Sequence, residues 1–209
     1  MIRVFIADDH AIVRKGFRQL IEETGDMVVV GEASTGTEVL EQAIKAAWDV
    51  LVLDLSMPGM TGLEVIHTLR DLKPHLPILV LSMHPEDQYA VRLLKNGIAG
   101  YISKDTALDH LIAAIRKVVA GGKYVSEALA EQLVVDLTSS GSKSVIESLS
   151  DREYRVLCMI GEGKTVTHIG EELFISVKTV STYRARILEK MNLATTAELM
   201  RYAIENNLH

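Results

Sequence analysis

The sequence predicts an α/β unit with a doubly wound five-stranded parallel sheet, followed by a smaller all-α unit. Three observations support this division. Up to residue 122, five short apolar segments alternate with five amphipathic ones. Several apolar segments are continuous rather than alternating, which is typical of strands buried on both faces of a parallel sheet. After residue 147 the apolar residues follow the helical period, and no strand pattern remains.

The composition is that of a globular protein. The 209 residues suit two domains, and 48% of them are hydrophobic while 24% are charged. No apolar run reaches the length of a membrane span, and the first residues become acidic too early for a signal peptide. We therefore expect a cytoplasmic protein that makes no membrane contact. The net charge of −6 means that any nucleic-acid surface must be a local basic patch.

The first unit alternates strands and helices in chain order. The predicted strands are 3–7, 27–30, 50–54, 77–82 and 101–104, and the predicted helices are 11–23, 34–47, 63–72, 86–96 and 107–120. Strict alternation of this kind is typical of a parallel sheet with helices on both faces. In the flavodoxin-like strand order 2-1-3-4-5, a ligand cleft forms at the carboxyl ends of the strands.

Chemically active side chains lie at the carboxyl ends of four predicted strands. Asp8 and Asp9 follow the first strand, Asp54 ends the third, Ser82 ends the fourth and Lys104 ends the fifth. Three neighbouring carboxylates repel each other, so a cation must join them or one must stay protonated. An all-oxygen site suits Mg²⁺. One carboxylate could then attack a phosphoryl group, with the lysine and the hydroxyl stabilising the transferred oxygens.

Two histidines, His10 and His84, border the same cleft. Neither has a second nitrogen or sulfur ligand at the spacing that zinc requires, so we do not expect a zinc site.

A connector separates the two units. Residues 127–137 have a helical pattern, and residues 139–144 have the polar composition of a flexible linker. The second unit then opens with a capping box formed by Ser150 and Glu153. Its first predicted helix ends near residue 160, and three more cover 167–173, 177–191 and 195–206. A helix-turn-helix lies at the centre of this unit.

The third helix of the second unit has a basic, hydroxyl-rich face. Four basic residues against Glu189 give residues 177–190 a charge of +3, and short donors lie between them. Such a face suits the major groove of DNA. The candidate DNA-binding residues are Lys178, Thr179, Ser181, Thr182, Tyr183, Arg184, Arg186 and Lys190. Because the unit is not basic overall, a protein- or RNA-interaction output stays open as an alternative.

Residues 1–122 resemble the receiver domain of two-component response regulators. The motifs are Asp8-Asp9, Asp54 followed by Met-Pro-Gly, Ser82, and the tyrosine and lysine of Tyr101-x-x-Lys104. The resemblance implies that Asp54 is the phosphoacceptor. It also implies that Asp9, Asp54 and the Ser56 backbone carbonyl bind Mg²⁺, with Asp8 acting through water. Ser82 and Tyr101 lie where the family has its switch pair.

Residues 148–209 resemble the LuxR-type DNA-binding domain. The shared motifs include Leu149-Ser-x-Arg-Glu153, Ile169-x-x-x-Leu173-x-Ile-Ser176 and Lys178-Thr-Val180. With the receiver, this resembles a response regulator of the NarL/FixJ class. The resemblance implies a transcriptional regulator, not an enzyme, that can hydrolyse its own aspartyl phosphate. A cognate histidine kinase would phosphorylate Asp54, which releases the second domain to bind double-stranded DNA as a homodimer.

Two further expectations concern the mechanism. A phosphatase of the haloacid-dehalogenase kind also uses an aspartate and Mg²⁺, but it would need a second aspartate at the position of Ser56. The last helix has an apolar face larger than a sixty-residue core needs, so we expect helix 195–206 to form the dimer contact on DNA through Leu199.

Overall fold

The computed structural model describes residues 1–60, 62–82, 88–138, 145–206 and 208. By its internal contacts the chain divides into two compact units, Met1–Asp136 and Leu137–His209, and each is described separately. The first unit continues past the end predicted at residue 122. The two compact units do not test the predicted boundaries of the receiver (1–122), the linker (123–147) and the DNA-binding domain (148–209), so these boundaries stay predictions.

The first unit is a five-stranded parallel sheet with helices on both faces. The strands are β1 (Ile2–Ala7), β2 (Met27–Ala33), β3 (Val50–Asp54), β4 (Ile78–Ser82) and β5 (Gly100–Ser103). All pairs are parallel, and the strand order is β2-β1-β3-β4-β5. This confirms the predicted doubly wound, flavodoxin-like fold. The helices are α1 (Ala11–Glu22), α2 (Gly36–Lys45), α3 (Gly62–Leu72), α4 (Gln88–Lys95) and α5 (Ala107–Val119).

The sheet separates two apolar layers. Every residue of β3 and β4 is buried, which explains why these strands appear in the sequence as continuous apolar runs. On one face, Leu53 and Val80 pack with residues of α2, α3 and α4. On the other face, Val52 and Leu79 pack with residues of α1 and α5. The central strands are therefore held from both sides, and the chemistry is confined to their ends.

The connector begins by extending the sheet. The N–H of Tyr101 donates to the carbonyl of Tyr124, and the N–H of Tyr124 donates to the carbonyl of Ala99, both at 3.0 Å. Helix α6 (Glu127–Thr138) follows. Its Leu129 is fully buried in the same apolar layer as residues of α3 and α4. The start of the connector is therefore part of the first unit.

The second unit is helical throughout its described part. A short 3-10 turn, Val145–Ser148, leads to α7 (Asp151–Gly161), α8 (Val166–Glu172), α9 (Val177–Met191) and α10 (Thr196–Glu205). The predicted capping box at Ser150 and Glu153 is present at the start of α7. Over the whole described chain, no helix is long and apolar enough to cross a membrane.

Candidate functional site

The strand register brings the predicted residues of the first unit to one edge of the sheet. Asp54 pairs with Leu81 of β4, and the next residue, Ser82, pairs with Ser103 of β5. Lys104 follows directly. On the other side, β1 ends at Ala7, opposite Leu53, so the next residue, Asp8, lies beside Asp54. Because all strands run parallel, these ends meet at the same edge.

A buried ammonium group bridges two buried carboxylates at this edge. Lys104 Nζ lies 2.7 Å from Asp8 Oδ2 and 2.7 Å from Asp54 Oδ2. The side chains of both aspartates are 0% exposed, and that of Lys104 is 9% exposed. A buried charge is costly unless it is paired, so the lysine provides the compensation that these two carboxylates need.

The protonation behaviour of this pair follows from burial and from the hydrogen bonds. Burial raises the pKa of Asp54, and the hydrogen bond from Lys104 offsets only part of that effect. Burial alone would lower the pKa of Lys104, but the hydrogen bonds to Asp54 and Asp8 raise it above its ordinary value. The lysine therefore stays charged at neutral pH.

Asp9 and His10 complete the edge on the side of α1. His10 Nδ1 lies 2.7 Å from Asp9 Oδ1 and 3.2 Å from Asp8 Oδ1. The His10 N–H also donates to Asp8 Oδ1 at 2.8 Å. One ligand atom from each of Asp8, Asp9, His10 and Asp54 lies within 4.8 Å of the others. Sequence reasoning placed His10 at the border of the cleft, whereas the structure places it in contact with the acidic pair. His84 lies outside the described residues.

The loop after β3 holds Asp54 in a fixed orientation. The N–H of Ser56 donates to Asp54 Oδ1 at 2.9 Å, so the two oxygens of this carboxylate have different partners. Gly62 begins α3, and a Cβ at that position would lie 2.9 Å from Leu55 Cα. The absence of a side chain there lets α3 start directly against the loop.

The two predicted switch residues lie in different surroundings. Ser82 is fully buried at the end of β4, at the same edge as Asp54. Tyr101 lies two residues before the end of β5, opposite Val80. Its side chain is fully buried in the apolar layer that includes Leu93 and Leu129. The tyrosine ring therefore already lies inside the unit in this structure.

Helix α9 of the second unit has one buried face and one exposed face. Val180 and Ile187 are fully buried, seven residues apart as the helical period requires. Lys178, Thr182 and Arg186 are exposed and follow each other at intervals of four residues. Ser181, Tyr183 and Arg184 are partly exposed beside them, and so is Thr179.

Local hydrogen bonds hold two of the predicted hydroxyl groups. Ser176 is the N-cap of α9: its Oγ accepts from the N–H of Thr179 at 3.1 Å and lies 2.8 Å from Thr179 Oγ1. The hydroxyl of Thr182 donates to the carbonyl of Lys178 at 3.0 Å. Both hydroxyls keep acceptor capacity, but their orientation is set by the helix.

Lys190, the last of the predicted DNA contacts, has an intramolecular role in the structure. Its Nζ donates to Glu153 Oε2 at 2.6 Å and to the carbonyl of Ser148 at 3.0 Å. The Glu153 side chain is 4% exposed and also accepts from the N–H of Ser150. Burial alone would raise the pKa of Glu153, but the bonds from Lys190 and Ser150 lower it. The structure thus separates this lysine from the rest of the basic set.

Leu199 was expected to form an exposed dimer contact, and this expectation is wrong. Its side chain is fully buried, as are those of Ala203 and Leu208. Helix α10 packs against α7 and α9, so its apolar face completes the core of the second unit. The large apolar residue that α10 exposes is Ile204, at 50%.

Comparison with known proteins assigns a domain family to each of the two units. Residues 4–116 match the response regulator receiver domain, and residues 147–203 match the luxR family of bacterial regulatory proteins. The chain is 36% identical over 209 residues to the response regulator UvrY of Escherichia coli, covering all of this chain and 96% of UvrY. It is 35% identical to the response regulator GacA of Pseudomonas aeruginosa, covering 98% of that protein. The chain belongs to the two-component response regulators of the NarL/FixJ class.

Solved structures lead to the same family. A structure of the response regulator RcsB from Salmonella typhimurium has a TM-score of 0.64 and 30% identity, covering 97% of this chain and 98% of RcsB. A complex of RcsB with DNA has a TM-score of 0.61 and 31% identity, covering 96% of each chain. The predicted class, a DNA-binding transcriptional regulator of a two-component system, is thereby confirmed.

One residue near the site of this response regulator was missed by sequence reasoning. Arg14 on α1 donates through Nη1 to the backbone carbonyl of Asp8 at 2.6 Å. It lies four residues after His10, on the face of α1 that is directed towards β2. An arginine in an amphipathic helix is usually solvated, and the sequence contained no signal that this one contacts the loop after β1.

Proposed function

We propose that this response regulator accepts a phosphoryl group on Asp54 from a histidine kinase or a small phosphodonor. The observation that carries the proposal is the Lys104 ammonium, which contacts Asp54 and Asp8 at the carboxyl edge of the sheet. A carboxylate oxygen of Asp54 would attack phosphorus while the bond from phosphorus to the donor breaks. Lys104 and Ser82 would stabilise the charge on the transferred oxygens.

The donor set fits Mg²⁺. It includes two buried carboxylate oxygens whose contacts are with cationic or nitrogen groups: Asp8 Oδ2 lies 2.7 Å from Lys104 Nζ, and Asp9 Oδ1 lies 2.7 Å from His10 Nδ1. Oxygen ligands of this kind suit a hard divalent cation. Asp9, Asp54 and the Ser56 carbonyl would bind the ion, and Asp8 would act through water. The bound ion supplies charge neutralisation for the phosphoryl oxygens.

We further propose that Ser82 and Tyr101 connect the phosphorylation site to the output. Phosphorylation would draw the Ser82 hydroxyl towards the new phosphoryl oxygens and increase the population of a state in which Tyr101 and its neighbours are repacked. The aspartyl phosphate would later be hydrolysed, in part by this protein itself. The cytoplasmic location expected from the sequence stays a prediction.

The output we propose is binding of double-stranded DNA by a homodimer. The exposed residues of α9, led by Lys178, Thr182 and Arg186, would enter the major groove, and Thr179, Ser181, Tyr183 and Arg184 would complete the surface. RcsB has been solved with DNA, which supports the assignment by analogy. Lys190 is left out of the proposed DNA-contacting set because it is bound to Glu153.

Phosphorylation is tested by incubating the protein with acetyl phosphate and weighing it intact by mass spectrometry. We expect one added phosphoryl group that requires Mg²⁺ and is lost with chelator. Asp54→Asn should gain none, whereas Asp49→Asn, a matched change at an aspartate that pairs with Arg3, should gain one. Equal labelling of Asp54→Asn and wild type would refute the assignment.

DNA binding is tested by the salt dependence of affinity for a duplex selected from a random pool. The association constant should fall linearly with salt concentration on logarithmic axes, with a slope set by the number of phosphates contacted. An association constant that does not change with salt concentration would contradict a DNA-binding surface formed by α9.

A further inference from the structure

The backbone of Asp8 is held on both sides of its side chain. Its N–H donates to the carbonyl of Ala33 on β2 at 3.1 Å, which continues the pairing of β1 with β2. Its carbonyl accepts from Arg14 Nη1 at 2.6 Å. This carbonyl belongs to the peptide that joins Asp8 to Asp9. The peptide between the two acidic residues is therefore fixed by a side chain of α1.

Arg14 is itself held in place by a chain of alternating charges. Its Nε donates to Glu32 Oε2 at 3.1 Å, and Glu32 Oε1 accepts from Arg18 Nε at 2.7 Å. Arg18 Nη1 in turn donates to Glu22 at 3.0 Å. Burial alone would raise the pKa of Glu32, but the bonds from Arg18 and Arg14 lower it. Glu32 thus stays ionised and neutralises Arg14.

This neutralisation matters because a free cation beside the acidic pair would oppose metal binding. The series of ion pairs contains two arginines, Arg14 and Arg18, and two glutamates, Glu32 and Glu22, so it carries no net charge. Arg14 can therefore orient the backbone without repelling a divalent ion. The guanidinium is well suited to the task, since its planar set of donors can hold a carboxylate and a carbonyl at once. The side chain of Arg14 is 18% exposed, so water competes little for these bonds.

The peptide plane transmits this restraint to Asp9. A peptide is planar, so the direction of the Asp8 carbonyl sets the direction of the Asp9 N–H and the start of its backbone. Without the bond from Arg14, the peptide could rotate and carry the Asp9 carboxylate away from Asp54. We propose that Arg14, supported by Glu32, is a positioning residue that holds the Asp8–Asp9 pair in the geometry needed for divalent-cation binding. This inference rests on the proposed function of the site.

The test is the affinity of the full-length protein for Mn²⁺, used as a probe for Mg²⁺ and measured from the electron paramagnetic resonance signal of the free ion. Arg14→Met should weaken Mn²⁺ binding about tenfold or more, which is typical when a group supporting a metal ligand is removed. Arg14→Lys should fall between wild type and Arg14→Met, because an ammonium can bind the carbonyl but cannot hold Glu32 with the same geometry. Glu32→Gln should weaken binding less, in the same direction.

The matched control is Arg116→Met. Arg116 lies on α5 and pairs with Asp26 at 3.1 Å, so this change removes an arginine–carboxylate contact of the same unit away from the acidic site. Its Mn²⁺ affinity should equal that of wild type. Thermal unfolding of each variant in chelator reports any purely structural effect. The Asp9 amide resonance of Arg14→Met should also move in ¹⁵N spectra recorded without metal.

The outcomes separate the inference from the function on which it rests. Unchanged Mn²⁺ affinity in a folded Arg14→Met overturns the inference while leaving phosphorylation of Asp54 intact. An equal loss of affinity in Arg116→Met also overturns it, because the effect would then be general. Wild type that binds no Mn²⁺ and gains no phosphoryl group would instead refute the proposed function. If Arg14→Met does not fold, the comparison of Glu32→Gln with Arg116→Met decides.

Discussion

At the scale of single residues, the first unit concentrates its buried charge at one place. Asp8 and Asp54 are fully buried, and the cation that contacts both is Lys104. Such an arrangement is costly to break, because removing one partner leaves the other charge buried and unpaired. The stability of the site therefore depends strongly on the charge of this lysine.

Replacing Lys104 by methionine should destabilise the first unit in a pH-dependent way. Without metal at neutral pH, we expect a loss of about 3 kcal/mol in the free energy of unfolding. Burial raises the pKa of Asp54 above 3.8, and loss of the lysine raises it further. Between the raised pKa of Asp54 in the folded variant and the ordinary value of 3.8 in the unfolded chain, the folded state binds more protons, so its stability should rise as the pH falls through this range. Urea unfolding in chelator across this range measures the effect.

The control for this change is Lys15→Met, because Lys15 is exposed on α1. It should unfold like wild type at every pH. If the stability of Lys104→Met relative to wild type does not depend on pH, Lys104 does not compensate the charge of the buried Asp8 and Asp54.

In the second unit, Lys190 and Arg186 should have separable effects although both are basic residues of α9. Lys190→Met removes the cation bound to the buried Glu153 and should cost about 1–3 kcal/mol of stability. Arg186 is exposed, so Arg186→Met should leave stability unchanged. It should instead weaken DNA binding and reduce the salt slope by about one. Unfolding curves and salt titrations of both variants test the contrast, and exchanged phenotypes would contradict it.

At the scale of elements, the connector is built into the edge of the sheet. A Cβ on Gly100 would lie 2.7 Å from the carbonyl oxygen of Tyr124, so the glycine permits the close approach of this segment to β5. Tyr101, a predicted switch residue, donates its N–H to that same carbonyl. A movement of β5 would therefore act directly on the residues that lead into α6.

Helix α6 should stabilise the first unit through one buried side chain. Leu129 is 0% exposed, whereas Val134 on the same helix is 60% exposed. Leu129→Ala should reduce the free energy of unfolding by about 2–5 kcal/mol, and Val134→Ala should change it little. Chemical denaturation of the two variants measures the difference. Equal stability would mean that α6 does not belong to the core.

At the scale of the whole molecule, two compact units must be coupled for phosphorylation to control DNA binding. The chain has a net charge of −6, so the general field of the protein opposes association with DNA. The basic residues of α9 must act locally, and a modest change in their availability can alter affinity. Coupling of this kind requires two populated states whose balance phosphorylation shifts.

Phosphorylation should raise the affinity for a selected duplex by about tenfold, a usual size for coupling between two sites. Fluorescence anisotropy with and without acetyl phosphate and Mg²⁺ measures this change. Asp54→Asn should bind with the affinity of the unphosphorylated protein under both conditions. If mass spectrometry shows the phosphoryl group but the DNA affinity of wild type is unchanged, phosphorylation of Asp54 does not control DNA binding.

The sequence by itself determined the fold and the edge at which the chemistry lies. Continuous apolar runs identified β3 and β4 as strands buried on both faces. The residues at the carboxyl ends of the strands, Asp8, Asp54 and Lys104, converge because parallel strands end together. The capping box of α7 was equally visible, since it depends on residues three positions apart. Features of this kind depend on residues close in sequence, so they can be predicted before the packing of the elements is known.

Only the tertiary structure decided which side chains pair over long distances. Lys190 binds Glu153 across 37 positions, and Arg14 reaches the carbonyl of Asp8 and the carboxylate of Glu32 on another element. Leu199 faces the core because α7 and α9 lie against α10. Periodicity shows which face of a helix is apolar, but its partner depends on how the elements pack. A basic residue that is directed towards solvent and one that binds a distant buried carboxylate therefore look alike in sequence and differ only once the chain is folded.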